Sequence, residues 1–303
     1  MNRNKKQKSL PFSVPSPKDT QKILKNIFND DKNDLVKNAA LIFSKFVPDN
    51  LKNKGKHLRK VQKEFSNMLQ KDGTFRHLNE RIKKIVEDLK TLGYDYQKIE
   101  MKTSWRLVVG LGATHPEETS MIFHHIYGIP YIPASTIKGA VKHHIAQKIS
   151  QNILKEFPER SYMEILSSIT KFLDKGELVL NDDRIDVNNI KKDFDDAVKI
   201  FGTQSQKGNV IFLDAYPIDN VKLEIDIINP HYPDYYSKEK VPGDWQLPNP
   251  ISFLTIGKNV KFRFYILSRD QRLLKISKNW LESVLKSHGI GAKTSLGYGF
   301  FEI

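Results

Sequence analysis

Val260-Lys261-Phe262-Arg263-Phe264-Tyr265-Ile266-Leu267 decides the architecture. Phe262, Phe264 and Ile266 alternate with Lys261, Arg263 and Tyr265, the period of a strand with one apolar face. Downstream, residues 277–288 carry Trp280, Val284 and Leu285 at helical spacing. A glycine loop follows, and Tyr298-Gly299-Phe300-Phe301-Glu302-Ile303 closes as a strand. Upstream, Gly208-Asn209-Val210-Ile211-Phe212-Leu213 is a second core strand, and Trp105-Arg106-Leu107-Val108-Val109-Gly110-Leu111-Gly112 reads as a buried strand ending in a turn. Between them Ser135 is placed to cap a helix whose apolar positions are Ile137, Val141, Ile145, Ile149 and Ile153. The order is β-α-β-β-α-β, which predicts an α+β, ferredoxin-like (RRM-like) fold with two helices on one face of an antiparallel sheet.

Residues 217–258 then form an insertion in the central β-β connection. Leu223-Glu224-Ile225-Asp226-Ile227 and Ile251-Ser252-Phe253-Leu254-Thr255-Ile256 predict a β-hairpin within it. Ahead of the sheet the texture is helical. Apolar residues recur at helical spacing from Thr20 to about Val47, again from Leu58 to Leu69, and from Leu78 to Leu92, where Gly93 supplies a stop. Residues 1–18, rich in Lys, Ser and Pro, read as a disordered or extended arm. The expected division is a basic, mainly helical region over 1–103 and the ferredoxin-like domain over 104–303.

The charge follows that division. The 303 residues carry 49 Lys+Arg against 35 Asp+Glu, a formal net charge of +14. Residues 1–104 hold 24 basic and 12 acidic side chains, residues 105–303 hold 25 and 23. Such a balance suits a polyanionic partner: RNA, DNA or an acidic membrane face. The absence of cysteine excludes disulfides, thiolate nucleophiles and cysteine zinc sites. No apolar run reaches membrane-spanning length, and Met1-Asn2-Arg3-Asn4-Lys5-Lys6 lacks the apolar core of a signal peptide. The expectation is a cytoplasmic protein with no membrane partner.

Several stretches carry candidate chemistry, each with a plainer alternative. Lys52, Lys54, Lys56, Arg59 and Lys60 form the densest basic run, either a phosphate-contacting patch or a solvated helix start. Lys138 and Lys142 share one helix face near an N-terminus that favours anions, or they are solvated lysines of an amphipathic helix. The loop Gly289-Ile290-Gly291-Ala292-Lys293-Thr294-Ser295-Leu296-Gly297-Tyr298-Gly299 matches neither a dinucleotide fingerprint nor a Walker A loop. Its glycines, Lys293, Thr294 and Ser295 suit a phosphate backbone, or the glycines serve a tight turn. Tyr235 and Tyr236, beside Lys238 and Lys240 and ahead of Trp245, suit base stacking, or pack on the body of the protein. His124-His125 and His143-His144 lack the spacing of a metal site, so no metal or cofactor is expected. His143 retains the chemistry of a general base in RNA cleavage. Asp214, at the end of the second core strand, is a turn-former or a lone carboxylate.

Four of these segments together resemble the RAMP superfamily of CRISPR proteins. Ile129-Pro130-Tyr131-Ile132-Pro133-Ala134-Ser135-Thr136-Ile137-Lys138-Gly139 is similar to its first element, with Ala134 where glycine is usual. Phe201-Gly202-Thr203 with Gly208 to Pro217 resembles the second, and the 289–299 loop resembles the C-terminal glycine loop. Asn229-Pro230-His231-Tyr232-Pro233-Asp234-Tyr235-Tyr236, with Asp244-Trp245 and Pro250, narrows the resemblance to the sixth-subunit family of type III-B (Cmr) effector complexes. The resemblance covers roughly residues 105–303. It implies a non-catalytic backbone subunit that holds CRISPR RNA toward its 3′ end and supports binding of complementary target RNA in antiviral defence. Its implied partners are other Cmr subunits, above all the repeated backbone subunit. The alternative within the superfamily is a metal-independent endoribonuclease that processes precursor CRISPR RNA.

Overall fold

The computed structural model describes residues 38–45, 47, 54–71, 73–115, 118–176, 187–219, 221–229, 241 and 250–303. In chain order its elements are α1 (Ala39–Ser44), α2 (Lys54–Lys71), α3 (Thr74–Thr91), β1 (Asp95–Thr103), α4 (Ala134–Glu156), α5 (Tyr162–Lys175) and α6 (Val187–Phe201). There follow β2 (Val210–Phe212), β3 (Tyr216–Pro217), β4 (Leu223–Ile228), β5 (Ile251–Ile256), β6 (Lys261–Ser268), α7 (Gln271–Ser287) and β7 (Phe301–Glu302). The N-terminal arm and most of the stretch from Thr20 to Val47 lie outside the described residues.

The chain divides into two units, residues 75–109 with 131–221 and 257–303, and residues 1–74 with 110–130 and 222–256. The boundary expected at 103/104 falls inside the first of these. That unit holds the sheet in the order β2-β6-β1-β7, with β3 beside β6 and every pairing antiparallel. With α4 and α7 as crossovers, this is the ferredoxin-like arrangement. β6 lies inside the sheet between β2 and β1, and both of its faces are covered. Phe262 and Phe264 are fully buried and meet Phe301 edge-on at 5.9 and 5.6 Å between ring centres. Burying one such side chain contributes about 1.5–3 kcal/mol. On the same face Ile266 pairs with Phe212, whose ring stacks on Phe201 of α6, which stacks in turn on Trp280 of α7.

The opposite face is covered as well. Tyr265 and Leu267 form a core with Val86 of α3, flanked by Ile82, Leu89, Tyr96 and Ile211. At its edge Arg263 donates to Glu100 at 2.8 Å and to Asn79 of α3 at 3.3 Å. Gly93 ends the turn after α3 in the left-handed conformation, φ 84°, as its position in the sequence predicts.

Three expectations are corrected. The first sheet strand is Asp95–Thr103, not 105–112; Leu107, Val108 and Val109 are buried, but their backbone runs as an irregular segment. Ser135 does not cap α4, whose N-cap is Pro133. α7 begins at Gln271, six residues ahead of the expected start, because Asp270 accepts a hydrogen bond from the Leu273 amide at 3.0 Å.

The second unit holds the expected hairpin, β4 against β5 from Leu223↔Ile256 to Ile228↔Ile251. Helix α2 packs on it through Leu58, Val61 and Phe65, all fully buried, and Gln62 donates to the Leu223 carbonyl at 2.6 Å. Asn38 caps α1 by accepting from the amides of Ala40 and Leu41, while its own amide group donates to the carbonyls of His125 and Ile126.

Candidate nucleic-acid interface

The first two sequence elements fold into one hydrogen-bonded junction. Ile132 and Ala215 exchange two backbone hydrogen bonds of 2.9 Å. The Tyr131 and Tyr216 rings stack at 5.5 Å, 12° from parallel. Asp214 Oδ1 accepts from the Ala134 amide at 2.7 Å, and its Oδ2 accepts from the Tyr216 hydroxyl at 3.3 Å. Asp214 is thus neither a turn-former nor a lone carboxylate. It caps α4 from a distant part of the chain and places an anion at the positive end of the helix. Together with burial, that charge raises the pKa of Tyr131. A phosphate at this helix start would meet the protein's own carboxylate, which moves the anion-binding potential along the helix to its lysines. Ser135 lies on the exposed side of the first turn.

Lys138 and Lys142 are one turn apart on α4, and they differ. Lys142 Nζ sits 2.6 Å from Asp174 of α5, which offsets its charge. Lys138 has no hydrogen-bond or ion-pair partner among the described residues. Burial first, and Lys142 second, lower its pKa, so an anion that partnered it would relieve an unfavourable environment. Next to Lys142 on the helix, His143 and His144 lie 5.8 and 5.6 Å from His288, and His144 Nε2 meets Ser283 Oγ at 3.1 Å. Burial and neighbouring positive groups lower the pKa of His144 and His288. Among the described residues no group of three or more acidic or imidazole side chains could hold a metal ion.

His288 leads into the glycine loop, so these contacts set α4 beside the loop's first residues. The loop turns through left-handed backbone at Gly289, Gly291, Lys293, Gly297 and Gly299. Gly291 and Gly299 are steric requirements: a Cβ would strike the Val108 carbonyl in one case and the Ile290 carbonyl in the other. Gly297 differs, with φ 89° and open space around it. Lys293, a non-glycine residue at φ 63°, is a local strain of about 1 kcal/mol or more. It precedes a single turn of 3₁₀ helix over Thr294–Leu296. Among the described residues the amides of Gly291, Thr294 and Ser295 have no hydrogen-bond partner, and Ser295 and Gly297 are exposed. The loop therefore joins a cation to several unsatisfied N–H groups, the donor set a phosphate backbone uses.

Sequence reasoning missed what holds this loop. Residues 104–108, which overlap the strand expected at 105–112, run alongside it. Ser104 donates to the Phe300 carbonyl at 3.0 Å, Gly299 to Arg106 at 2.8 Å and Ala292 to Val108 at 2.9 Å. The segment brings Trp105 to the surface, 46% exposed, with the Arg106 guanidinium 5.3 Å from its ring centre.

In the second unit Arg59 is exposed on α2, and Lys60 is half-buried with a pKa lowered by burial. The side chains of Lys54 and Lys56 lie outside the described residues, as do Lys52, Tyr235, Tyr236 and Trp245. No helix among the described residues is long and apolar enough to cross a membrane.

Comparison with known proteins agrees with this arrangement. The chain is 37% identical to the CRISPR system Cmr subunit Cmr6 of Pyrococcus furiosus, over 66% of each chain. It is 29% identical to the CRISPR system CMR subunit Cmr6 of Saccharolobus solfataricus, over 76% of this chain and 66% of that one. It thus spans 66% of the length of both relatives. A cryo-EM structure of the type III-B Cmr-beta complex bound to cognate target RNA contains a chain of similar fold, with a TM-score of 0.55 and 24% identity, covering 92% of this chain and 86% of that one. The sequence profile of the RAMP superfamily matches residues 98–302, from the middle of β1 to the end of β7. The chain belongs to the RAMP superfamily.

Proposed function

We propose that this chain is a non-catalytic, RNA-holding subunit of a type III-B Cmr effector complex, and that it grips CRISPR RNA toward its 3′ end beside the repeated backbone subunit. The observation that carries this reading is the 37% identity to a Cmr6 subunit across 66% of the chain. The chemistry of the site supports it. Lys138 on α4 and Lys293 with the free amides of the glycine loop offer charge and donors to phosphates without any group set to read a base. In such a complex base pairing supplies the sequence recognition and the protein holds the backbone. Ser135, Lys142, Thr294, Ser295 and the basic run from Lys52 to Lys60 belong to the same proposal. The test is co-expression with the other Cmr subunits and a CRISPR RNA. The chain should co-purify with the guide in a complex that binds complementary RNA. A guide-loaded complex that assembles fully without it would overturn the reading.

The endoribonuclease reading draws on one observation, the His143 and His288 rings 5.8 Å apart beside the glycine loop. Metal-free cleavage of a repeat RNA by the purified chain, lost in His143→Ala, would establish it.

A further inference from the structure

Trp105 is an exposed tryptophan beside the glycine loop. Tryptophan is a largely buried residue type in folded proteins, yet this indole is 46% exposed. It is not a frayed side chain, because its backbone is held on both sides. Ser104 is bonded to Phe300 and Arg106 to Gly299, and Gly299 follows Tyr298, whose amide donates to the Lys293 carbonyl at 3.3 Å. The ring therefore sits on a backbone fixed to the glycine loop. Arg106 lies over it at 5.3 Å, a cation–π distance that stiffens the indole further. Burying an indole in a protein partner and stacking a base on it make different demands on the surroundings. A protein contact favours apolar neighbours, whereas a base brings its phosphate with it and favours cations and N–H donors. The ring's charged neighbour is Arg106, and the loop to which its backbone is bonded carries Lys293 and the unpartnered amides of Thr294 and Ser295, with Leu296 as its one strongly exposed apolar side chain.

We propose that Trp105 is a base-stacking platform. An unpaired base of a bound single strand lies on the indole, while the adjoining phosphate runs along the Lys293 loop. The platform rests on the reading of this chain as an RNA holder and adds to it a fixed point for one nucleotide. Stacking tolerates any base, so the platform sets register along the strand without selecting sequence.

The experiment uses single-stranded RNA and the full chain in three forms: parent, Trp105→Ala and Trp105→Phe, each shown to be folded by its thermal melt. Affinity is measured over a range of salt. Trp105→Ala should weaken binding by about 5- to 150-fold. Its salt dependence should match the parent, because a stacked base releases no counterions. Trp105→Phe should retain most of the affinity. An abasic RNA of equal length should bind the parent about as weakly as normal RNA binds Trp105→Ala. If Trp105→Ala does not fold, the comparison of abasic with normal RNA on the parent and on Trp105→Phe still decides the matter, and equal affinity overturns the platform. If the parent binds RNA and a folded Trp105→Ala binds it equally well, the platform is refuted while the RNA-holding role stands. A variant that binds RNA normally but fails to join its partner subunits makes Trp105 a protein contact and refutes the platform. A parent chain that binds no RNA removes both readings.

Discussion

Acidification should destabilise this protein through His57. The ring lies on α2 at 4% exposure, and its Nε2 has no hydrogen-bond partner among the described residues. Burial pulls its pKa from 6.5 to about 4; the Phe43 carbonyl opposes that shift, and His115 and Lys60 reinforce it. Between those values the unfolded chain takes up a proton that the folded chain does not. The stabilisation is therefore fully present above pH 6.5 and is lost as pH falls toward 4. At about 1.4 kcal/mol for each pH unit, the span sets a ceiling of about 3 kcal/mol, and most of it, about 2 kcal/mol, is lost between about pH 7 and pH 4.5. Urea unfolding of the parent and of His57→Leu at these two pH values isolates the term. The other histidines with lowered pKa values, His115, His144 and His288, are common to both proteins and cancel. The parent should lose about 2 kcal/mol more than the variant. Equal losses, or a His57 ring that titrates near 6.5 by NMR, would refute the reasoning.

Asp174→Asn should release Lys142 and steepen the salt dependence of RNA binding by about 0.7 in log–log slope, since one further phosphate is neutralised; an unchanged slope places Lys142 off the RNA path. Gly291→Ala should cost about 2 kcal/mol or more in an unfolding titration, because left-handed backbone and a clash with the Val108 carbonyl act together. Gly297→Asn should cost less than about 1 kcal/mol, having only the conformational term to meet. Asp214→Ala removes the cap of α4 and should lower stability by about 1 kcal/mol; a neutral result would mean that water replaces the carboxylate.

Where the period of the apolar residues is strong, the fold is legible in the sequence. β6, the β4–β5 hairpin, α2 and α3 all follow from spacing, and so does the existence of the crossover helices α4 and α7. β1 was hidden because Tyr96-Gln97-Lys98-Ile99-Glu100-Met101-Lys102 is mostly polar; of these only Ile99 and Met101 are fully buried, while Tyr96 flanks the core on the other face. Leu107-Val108-Val109 is the more apolar run, yet among the described residues it belongs to none of the sheet strands, and its Val108 carbonyl accepts from Ala292 of the glycine loop. The cap of α4 could not be read locally, since Asp214 arrives from 80 residues away. The pattern of Ile82, Val86 and Leu89 announces a helix, but nothing in it says that the helix covers the second face of the sheet. At the candidate site the lysines and the loop were visible as residue types. That Asp174 engages Lys142 and leaves Lys138 unpartnered is a tertiary fact.

The phosphate track along α4 and the glycine loop is tested most directly by the salt dependence of single-stranded RNA affinity in the parent and in a folded Lys138→Ala/Lys293→Ala variant. Two lost phosphate contacts should flatten the log–log slope by about 1.4, with the same loss of affinity for RNAs of unrelated sequence. A parental slope in the folded variant, or a preference of about a thousandfold for one sequence where backbone contacts carry none, would contradict it.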